Sequence, residues 1–439
     1  MKIFDSKYLK ELFKLALPIM MGNLGIVLLG AVDCLVAGRY STQALASISI
    51  ANAIHSIVLM LGIGITSGVS PLLANKRGER VGTKKYFFPS IRFALLLSVV
   101  LMAITFAYIP LLDFLGFESS LLKDIKAYTF VVGLTIFAVE LHVVLKEFLQ
   151  SYEIVFIPNL LTILSVFLNL FLNYALVFGK FGFPELGVVG LAIATGLVRI
   201  ANSSVLFCFC LLKFKFKNYE EHEYYNQLIK IGLPISAATM IEFLAFNYIA
   251  VVLGKISGTY AAAHNILLTI INVSFMIPFS LSNALAVKVG YTNGGKNYQE
   301  MFKYIKNALG IVFIFMLIAS ICFILFTKPL VSIFSTDTSL LKMIIPIVPV
   351  IAIFQLTDGL QATLAGIFRG LKRTKLVMIA NFMTYLVIGI SLGTYLGIYK
   401  KMYLLGCWTS ICISSFLLST TLVIYLTKLL KPLWLNKKV

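Results

Sequence analysis

Residues 231–265 read IGLPISAATMIEFLAFNYIAVVLGKISGTYAAAHN, an apolar run long enough to cross a bilayer that carries one acid, Glu242, in its interior. An ionised carboxylate at the centre of a membrane helix costs at least about 2.5–3.5 kcal/mol on insertion scales, so a residue kept there calls for a function. The same setting recurs twice along the chain, at Asp33 and at Asp358. Whether the three acids belong to one kind of site is the question the rest of the sequence has to answer.

The composition excludes a soluble protein of this length. Of 439 residues 59% are hydrophobic and only 13% charged, with a mean hydropathy of +0.95. A bilayer core of about 30 Å needs about 20 apolar residues at 1.5 Å rise each. Runs of that kind predict twelve transmembrane helices, near 11–36, 43–73, 87–112, 124–150, 156–178, 187–213, 228–254, 259–290, 304–326, 340–368, 376–396 and 402–427. The net charge of +19 raises the prospect of nucleic acid. With the N-terminus placed in the cytoplasm, however, most Lys and Arg fall on that side, at Lys2, Lys7, Lys10 and Lys14, 76–92, 213–230, Arg369–Lys375 and the tail. That is the positive-inside bias of an integral, multi-pass protein of a bacterial cytoplasmic (inner) membrane, with both termini cytoplasmic and no nucleic-acid partner expected. The basic and apolar start resembles a signal peptide, but the run continues too far and lacks a small-residue cleavage site. The six cysteines form no CxxC pair and read as small hydrophobes.

Laid on itself at an offset of 216 residues, the chain aligns Pro18 with Pro234, Gly38 with Gly254, Ala46 with Ala262 and Gly78 with Gly294. Six helices followed by six in the same order predict an all-α fold of two six-helix lobes related by a pseudo-two-fold axis along the membrane normal. The expected division is an N-lobe at 1–213, a cytoplasmic linker at 214–227 that includes the Glu220–Glu223 cluster, a C-lobe at 228–427 and a cytoplasmic tail at 428–439. Pro18, Pro234 and Pro278 are candidate hinges, since each removes a helix hydrogen bond that a membrane cannot replace with water. Pro346 and Pro349 should break the tenth span above Asp358.

The repeat keeps the frame and not the chemistry: Ile26 stands opposite Glu242, and Ile249 opposite Asp33. With the proline break shortening the tenth span, Glu242 and Asp358 can share one depth in the C-lobe. No Lys or Arg is expected deep enough to be a fixed counter-ion. Such a site wants a transient cation, a proton, a sodium ion or a positively charged substrate, and two that compete for it would exchange. Asn169 and Asn173, four residues apart, share a helix face that Thr195 can meet, and Gln361 stands one turn beyond Asp358 as a further polar cavity residue. Glu140 is a fourth deep acid. Tyr248, Tyr174, Phe275 and Met276 are expected near the cavity, where rings suit flat cations. His264 reads as a packed residue, because no second His or Cys completes a metal site. No nucleotide loop or nucleophile constellation appears, so no catalytic residue, enzymatic activity or cofactor is expected beyond a bound Na⁺ as candidate at Glu242 and Asp358, and energy has to come from a gradient.

Four segments carry a family resemblance. They are LALPIMM with GAVDCLVAGRYSTQALASISIA; LPISAATMIEF with AAAHNILLTIINVSFMIPFSLSNALAVKVGYTNG; FLNYALVFGKFGFPELGVVGLAIAT; and TDGLQATLAGIFRGLKRTK. Together they resemble the multidrug and toxic compound extrusion (MATE) transporters, NorM-like branch, over essentially the whole chain. The resemblance implies a V-shaped, monomeric twelve-helix antiporter that exports small cationic or aromatic substrates in exchange for inward Na⁺ or H⁺. It places Glu242 and Asp358 as the C-lobe cation-binding acids, and Asp33 as the N-lobe acid implicated in proton coupling, beside Asn169 and Thr195. Asn173 departs from the pattern, standing where some relatives have a second N-lobe acid. A flippase for lipid-linked saccharides, of the same two-lobed superfamily, is the alternative, but its anionic pyrophosphates would want a cationic cavity. A channel or structural protein is a third reading, and it would show no coupling to a gradient.

Overall fold

The computed structural model describes residues 5–216, 222–335 and 337–435. Parts of the expected linker (217–221, with Glu220) and of the expected tail (436–439) lie outside the described residues, as does Lys2. Among the described residues regular structure is helical only, as lipid requires, because a helix satisfies its backbone polar groups within one segment. The helices are α1 (Ser6–Tyr40), α2 (Thr42–Thr66), α3 (Val69–Gly78), α4 (Phe87–Tyr108), α5 (Ser119–Leu134), α6 (Ile136–Ser151), α7 (Phe156–Val177) and α8 (Gly187–Lys213). The second series is α9 (His222–Ile256), α10 (Gly258–Gly294), α11 (Tyr298–Ser332), α12 (Thr338–Ile344), α13 (Val348–Gly370), α14 (Thr374–Asn381), α15 (Ser391–Thr394) and α16 (Tyr403–Leu435). Eleven spans are long and apolar enough to cross a membrane, and α5 with α6, bent by 44° at their junction, make a twelfth. The expected fourth span is therefore this broken one.

The 216-residue frame is visible in the helix ends. α1 and α9 are both 35 residues long and start at 6 and 222; α2 and α10 start at 42 and 258; α3 and α10 end at 78 and 294. Each second span opens on a serine cap in extended backbone, Ser41 accepting from the Ala44 amide and Ser257 from the Thr259 amide. The frame breaks where the chemistry differs: the span of α2 and α3 is interrupted at Ser67 and Gly68, whereas α10 runs through unbroken with Pro278 inside it. Pro18 and Pro234 likewise lie inside continuous helices. Pro346 falls in a short 3₁₀ turn, Ile345–Ile347, between α12 and α13, and the tenth span runs through it as one continuous helical stretch, Thr338–Gly370, tightened above Asp358 where a break was expected.

By packing the chain forms two compact units, one of Leu17–Ser236 and one of Ala237 onward together with the residues up to Ala16. The division thus falls within α1 and α9, and not in the polar joint at 213–230, because each of these helices spends its first turns in one unit and the remainder in the other. In the C-terminal unit Lys288 Nζ bonds Glu11 Oε2 at 3.0 Å, Tyr304 donates to the same oxygen, and the Asp5 amide bonds Asn307 Oδ1 at 3.0 Å. In the N-terminal unit Ser236 Oγ donates to the Leu61 carbonyl at 2.9 Å.

Side-chain burial is inverted relative to a water-soluble protein. Val273, Leu325 and Phe167 are each more than two-thirds exposed, while Glu140, Asn173, Gln355 and Asp358 are buried. The outward face is apolar because its solvent is lipid, and polar groups turn inward to find partners. Within the C-terminal unit α13 is the central helix, packed on α10, α11 and α16. The eleventh span is wound partly as π-helix, Phe382–Ile390 and Tyr395–Tyr399, a form that appears often at functional sites. Its Gly389 and Gly393 lie directly on Ser414 and Ser410 of α16, so the two helices approach backbone to side chain.

Candidate cation sites

Glu242 projects from α9, and Asp358 and Gln361 from α13. Asp358 and Gln361 are three residues apart, on one face of their helix, and both are buried. Gln361 Nε2 donates to Asp358 Oδ1 at 2.7 Å and to Glu242 Oε1 at 3.0 Å, so one amide bridges the two acids. Tyr385, on the π-wound stretch of span eleven, donates to Gln361 Oε1 at 3.2 Å and fixes that amide from behind. Among the described residues no Lys or Arg bonds to either carboxylate. The bridge holds two negative groups together without a positive one, and turning the Gln361 amide over would add its oxygen to theirs.

An aromatic wall backs this pair. Trp408 is fully buried against Phe354 (ring centroids 5.7 Å), Phe246 (6.4 Å) and His264 (5.5 Å), and Phe246 also meets Tyr385 at 6.2 Å. Tyr248 hydrogen-bonds Thr394 at 2.9 Å, Phe275 pairs with Phe279, and Tyr174 is exposed beside Phe178 and Phe181. A simple signal for the real set was present: Phe246 stands four residues after Glu242, and Phe354 four before Asp358, each on its acid's helix face.

Asp33, Asn169, Asn173 and Thr195 meet in the N-terminal unit. Asn173 Nδ2 donates to Asp33 Oδ1 at 2.8 Å and to Asn169 Oδ1 at 3.0 Å, and Thr195 Oγ1 donates to Asp33 Oδ2 at 3.2 Å. Helices α1, α7 and α8 therefore converge on one carboxylate. The approach of α1 depends on Gly22, whose α-carbon presses on Asn159 of α7 with no room for a side chain, and is tight at Gly25 against Thr162. The expectation that no deep Lys or Arg exists fails here. Arg199, midway along α8, donates from Nη1 to Thr135 Oγ1 at 3.0 Å and to the Val132 carbonyl at 3.3 Å. These are the atoms at the junction of α5 and α6, where the Val132 carbonyl also accepts from the Thr135 amide and hydroxyl. Glu140 is a separate buried acid: Thr66 Oγ1 donates to its Oε2 at 2.7 Å, and its Oε1 has no hydrogen-bond partner.

The donor sets bear on what ion could bind. Among the described residues no group of three or more His, Cys, Asp or Glu could hold a metal ion. Two carboxylates with an amide between them suit a single monovalent cation that arrives and leaves.

A family model, MatE, matches residues 18–175 and 234–395. The chain belongs to the MatE family. The two matched blocks start one residue-frame apart, 18 and 234 standing 216 residues from each other, so the family pattern is itself the repeat read from the sequence. Among MatE relatives, the protein of Photorhabdus laumondii named "Probable multidrug resistance protein NorM" is 26% identical over 97% of this chain and 96% of its own length. The Thermotoga maritima protein of the same name is 29% identical over 91% and 88%. A solved structure of MATE in the bent conformation superposes with a TM-score of 0.89 at 19% identity, covering 98% of this chain and 97% of the other. The eukaryotic MATE transporter AtDTX14 superposes at 0.85 with 20% identity, covering 96% and 95%. The fold is that of a MATE transporter, an integral multi-pass membrane protein of two six-helix lobes.

Proposed function

We propose that this protein is a secondary antiporter that exports organic cations in exchange for inward Na⁺ or H⁺, with Glu242 and Asp358 as the groups where the exchanged cations compete. The observation that carries the reading is the pair of acids held around one amide with no Lys or Arg among the described residues bonded to either. Removing two carboxylates from water is costly unless positive charge compensates them. A small cation supplies that charge in one state and an aromatic organic cation in the other, the latter helped by the ring wall of Phe246, Phe354, Tyr385 and Trp408. Gln361 holds the acids in register while neither cation is bound. The names of the bacterial relatives, which describe multidrug resistance, support the same substrate class. Asp33, with Asn169, Asn173 and Thr195, forms the second candidate site. Pro18, Pro234 and Pro278 are the positions where the spanning helices would flex. The placement is the bacterial inner membrane with both termini cytoplasmic and the chain a monomer. A lipid-linked saccharide flippase is disfavoured, because a pyrophosphate would meet acids at Glu242 and Asp358.

The test is ethidium efflux from proteoliposomes with Na⁺ and H⁺ gradients imposed separately. Glu242→Gln and Asp358→Asn should each abolish gradient-driven efflux while leaving the purified protein folded. Efflux at the wild-type rate from both variants would overturn the assignment.

A further inference from the structure

The N-terminal unit contains a fixed cation that the antiport reading leaves unused. Arg199 lies one turn past Thr195 on α8, so the two side chains share a helix face. Thr195 touches Asp33, and the guanidinium lies within electrostatic reach of the same acid without forming an ion pair within 4 Å. From its other side Arg199 is tied to Thr135 Oγ1 and the Val132 carbonyl at the bend of the fourth span. The titratable groups that face this pair are Cys34 on α1, His55 on α2 and Tyr128 on α5, and none of them is a carboxylic acid. Tyr128 is itself occupied, donating to Asn52 at 3.1 Å.

The hydrogen bonds of the two charged groups are the telling feature. Every bond to Asp33 comes from a neutral donor, Asn173 or Thr195, and both bonds from Arg199 go to neutral acceptors. Their directional needs are met, but neither partner set cancels the charge. Each charge alone would cost several kcal/mol in a membrane interior, and each offsets the other when they stand together. The C-terminal unit differs in that Glu242 and Asp358 share an amide and have no such cation.

We propose that Arg199 is the resident counter-cation of Asp33, anchored at the α5–α6 bend, so that the N-terminal acid is balanced from within the chain and the acid pair on α9 and α13 is the one left to take a cation from outside. The first half concerns the folded protein alone, and only the second rests on the antiport reading. Arg199 is on this account a positioning residue whose charge matters as well as its two bonds.

A double-mutant cycle on the purified full-length protein, read as the midpoint of thermal unfolding in detergent, separates charge pairing from structural anchoring. Arg199→Gln and Asp33→Asn should each lower the midpoint by about 2 °C or more, and the double variant should lose less than the sum of the two by a similar amount. Thr135→Val removes an anchor of Arg199 without changing charge, and its loss should simply add to that of Asp33→Asn. Additive losses for Arg199→Gln and Asp33→Asn would overturn the pairing. If Arg199→Gln alone yields no folded protein, introducing Asp33→Asn beside it should restore a monodisperse peak on size exclusion, and no restoration would overturn the pairing equally. Because the cycle reads stability, its outcome is independent of whether the protein exports cations.

Discussion

Replacing Gln361 by Leu is the sharpest perturbation of the acid pair, since it keeps the side-chain volume and deletes every polar contact at the bridge. Three hydrogen bonds disappear: 2.7 Å to Asp358, 3.0 Å to Glu242 and 3.2 Å from Tyr385. The Tyr385 bond is neutral and between helices, a class worth about 0.6 kcal/mol in membrane proteins. Bonds to charged groups are worth about 1.5–3 kcal/mol each, but both arise from one amino group and neither can be counted in full. The loss of stability should therefore be about 2–4 kcal/mol, dominated by the carboxylates. It should fall when the driving cation is saturating, because a bound cation compensates the same oxygens. The assay is thermal unfolding of the purified variant with and without the cation, paired with gradient-driven efflux in proteoliposomes. The expected result is a cation-dependent shift in the variant larger than in wild type, which by linkage is a tighter apparent cation affinity, roughly 10-fold for each 1.4 kcal/mol by which the stability loss falls. A variant with wild-type stability and coupling would show that Gln361 does not hold the pair, and the reasoning from its hydrogen bonds would fail.

Other consequences follow from single contacts. Asn173→Leu removes the donor to Asp33 and Asn169 and should cost about 1–3 kcal/mol, read as a lowered unfolding midpoint. Gly22→Leu pushes a side chain into Asn159, and the resulting overpacking of α1 on α7 should cost about 1–3 kcal/mol, with Gly30→Leu, whose α-carbon faces open space, as the unaffected control. Trp408→Ala empties the aromatic wall behind the acids and should cost about 3–5 kcal/mol, so a well-folded variant of near-native midpoint would contradict the packing described.

The sequence was most informative where physics allowed few alternatives. Spans were legible because lipid demands long apolar helices, and the repeat was legible because Pro18, Gly38 and Gly78 recur in one frame, which the helix starts at 6 and 222 reproduce. Acids stood out because their cost in a membrane is high. Partners that depend on the register of one helix against another were harder to see. Tyr385 reaches Gln361 from a helix whose π-winding leaves no trace in its pattern of residues. Arg199 passed as absent because a guanidinium hidden at a bend looks, in a hydropathy profile, like one more interruption of an apolar run, although its spacing from Thr195 announced a shared face. The ring of α9 that meets Tyr385 and Trp408 is Phe246, two residues before Tyr248, and on a helix two residues is more than half a turn.

The crossing of α1 and α9 between the two units has a temporal consequence. Glu11 meets Lys288 at a separation of 277 residues, and synthesis at about 5–20 residues per second leaves that glutamate waiting on the order of 15–55 s for its partner. The first helix is therefore finished long before its opening turns have anywhere to dock, and the N-terminal unit itself is incomplete until Ser236 has emerged. The opening turns of α1 are thus among the last parts of that helix to be placed, docked only after the N-terminal unit is complete and Lys288 has emerged.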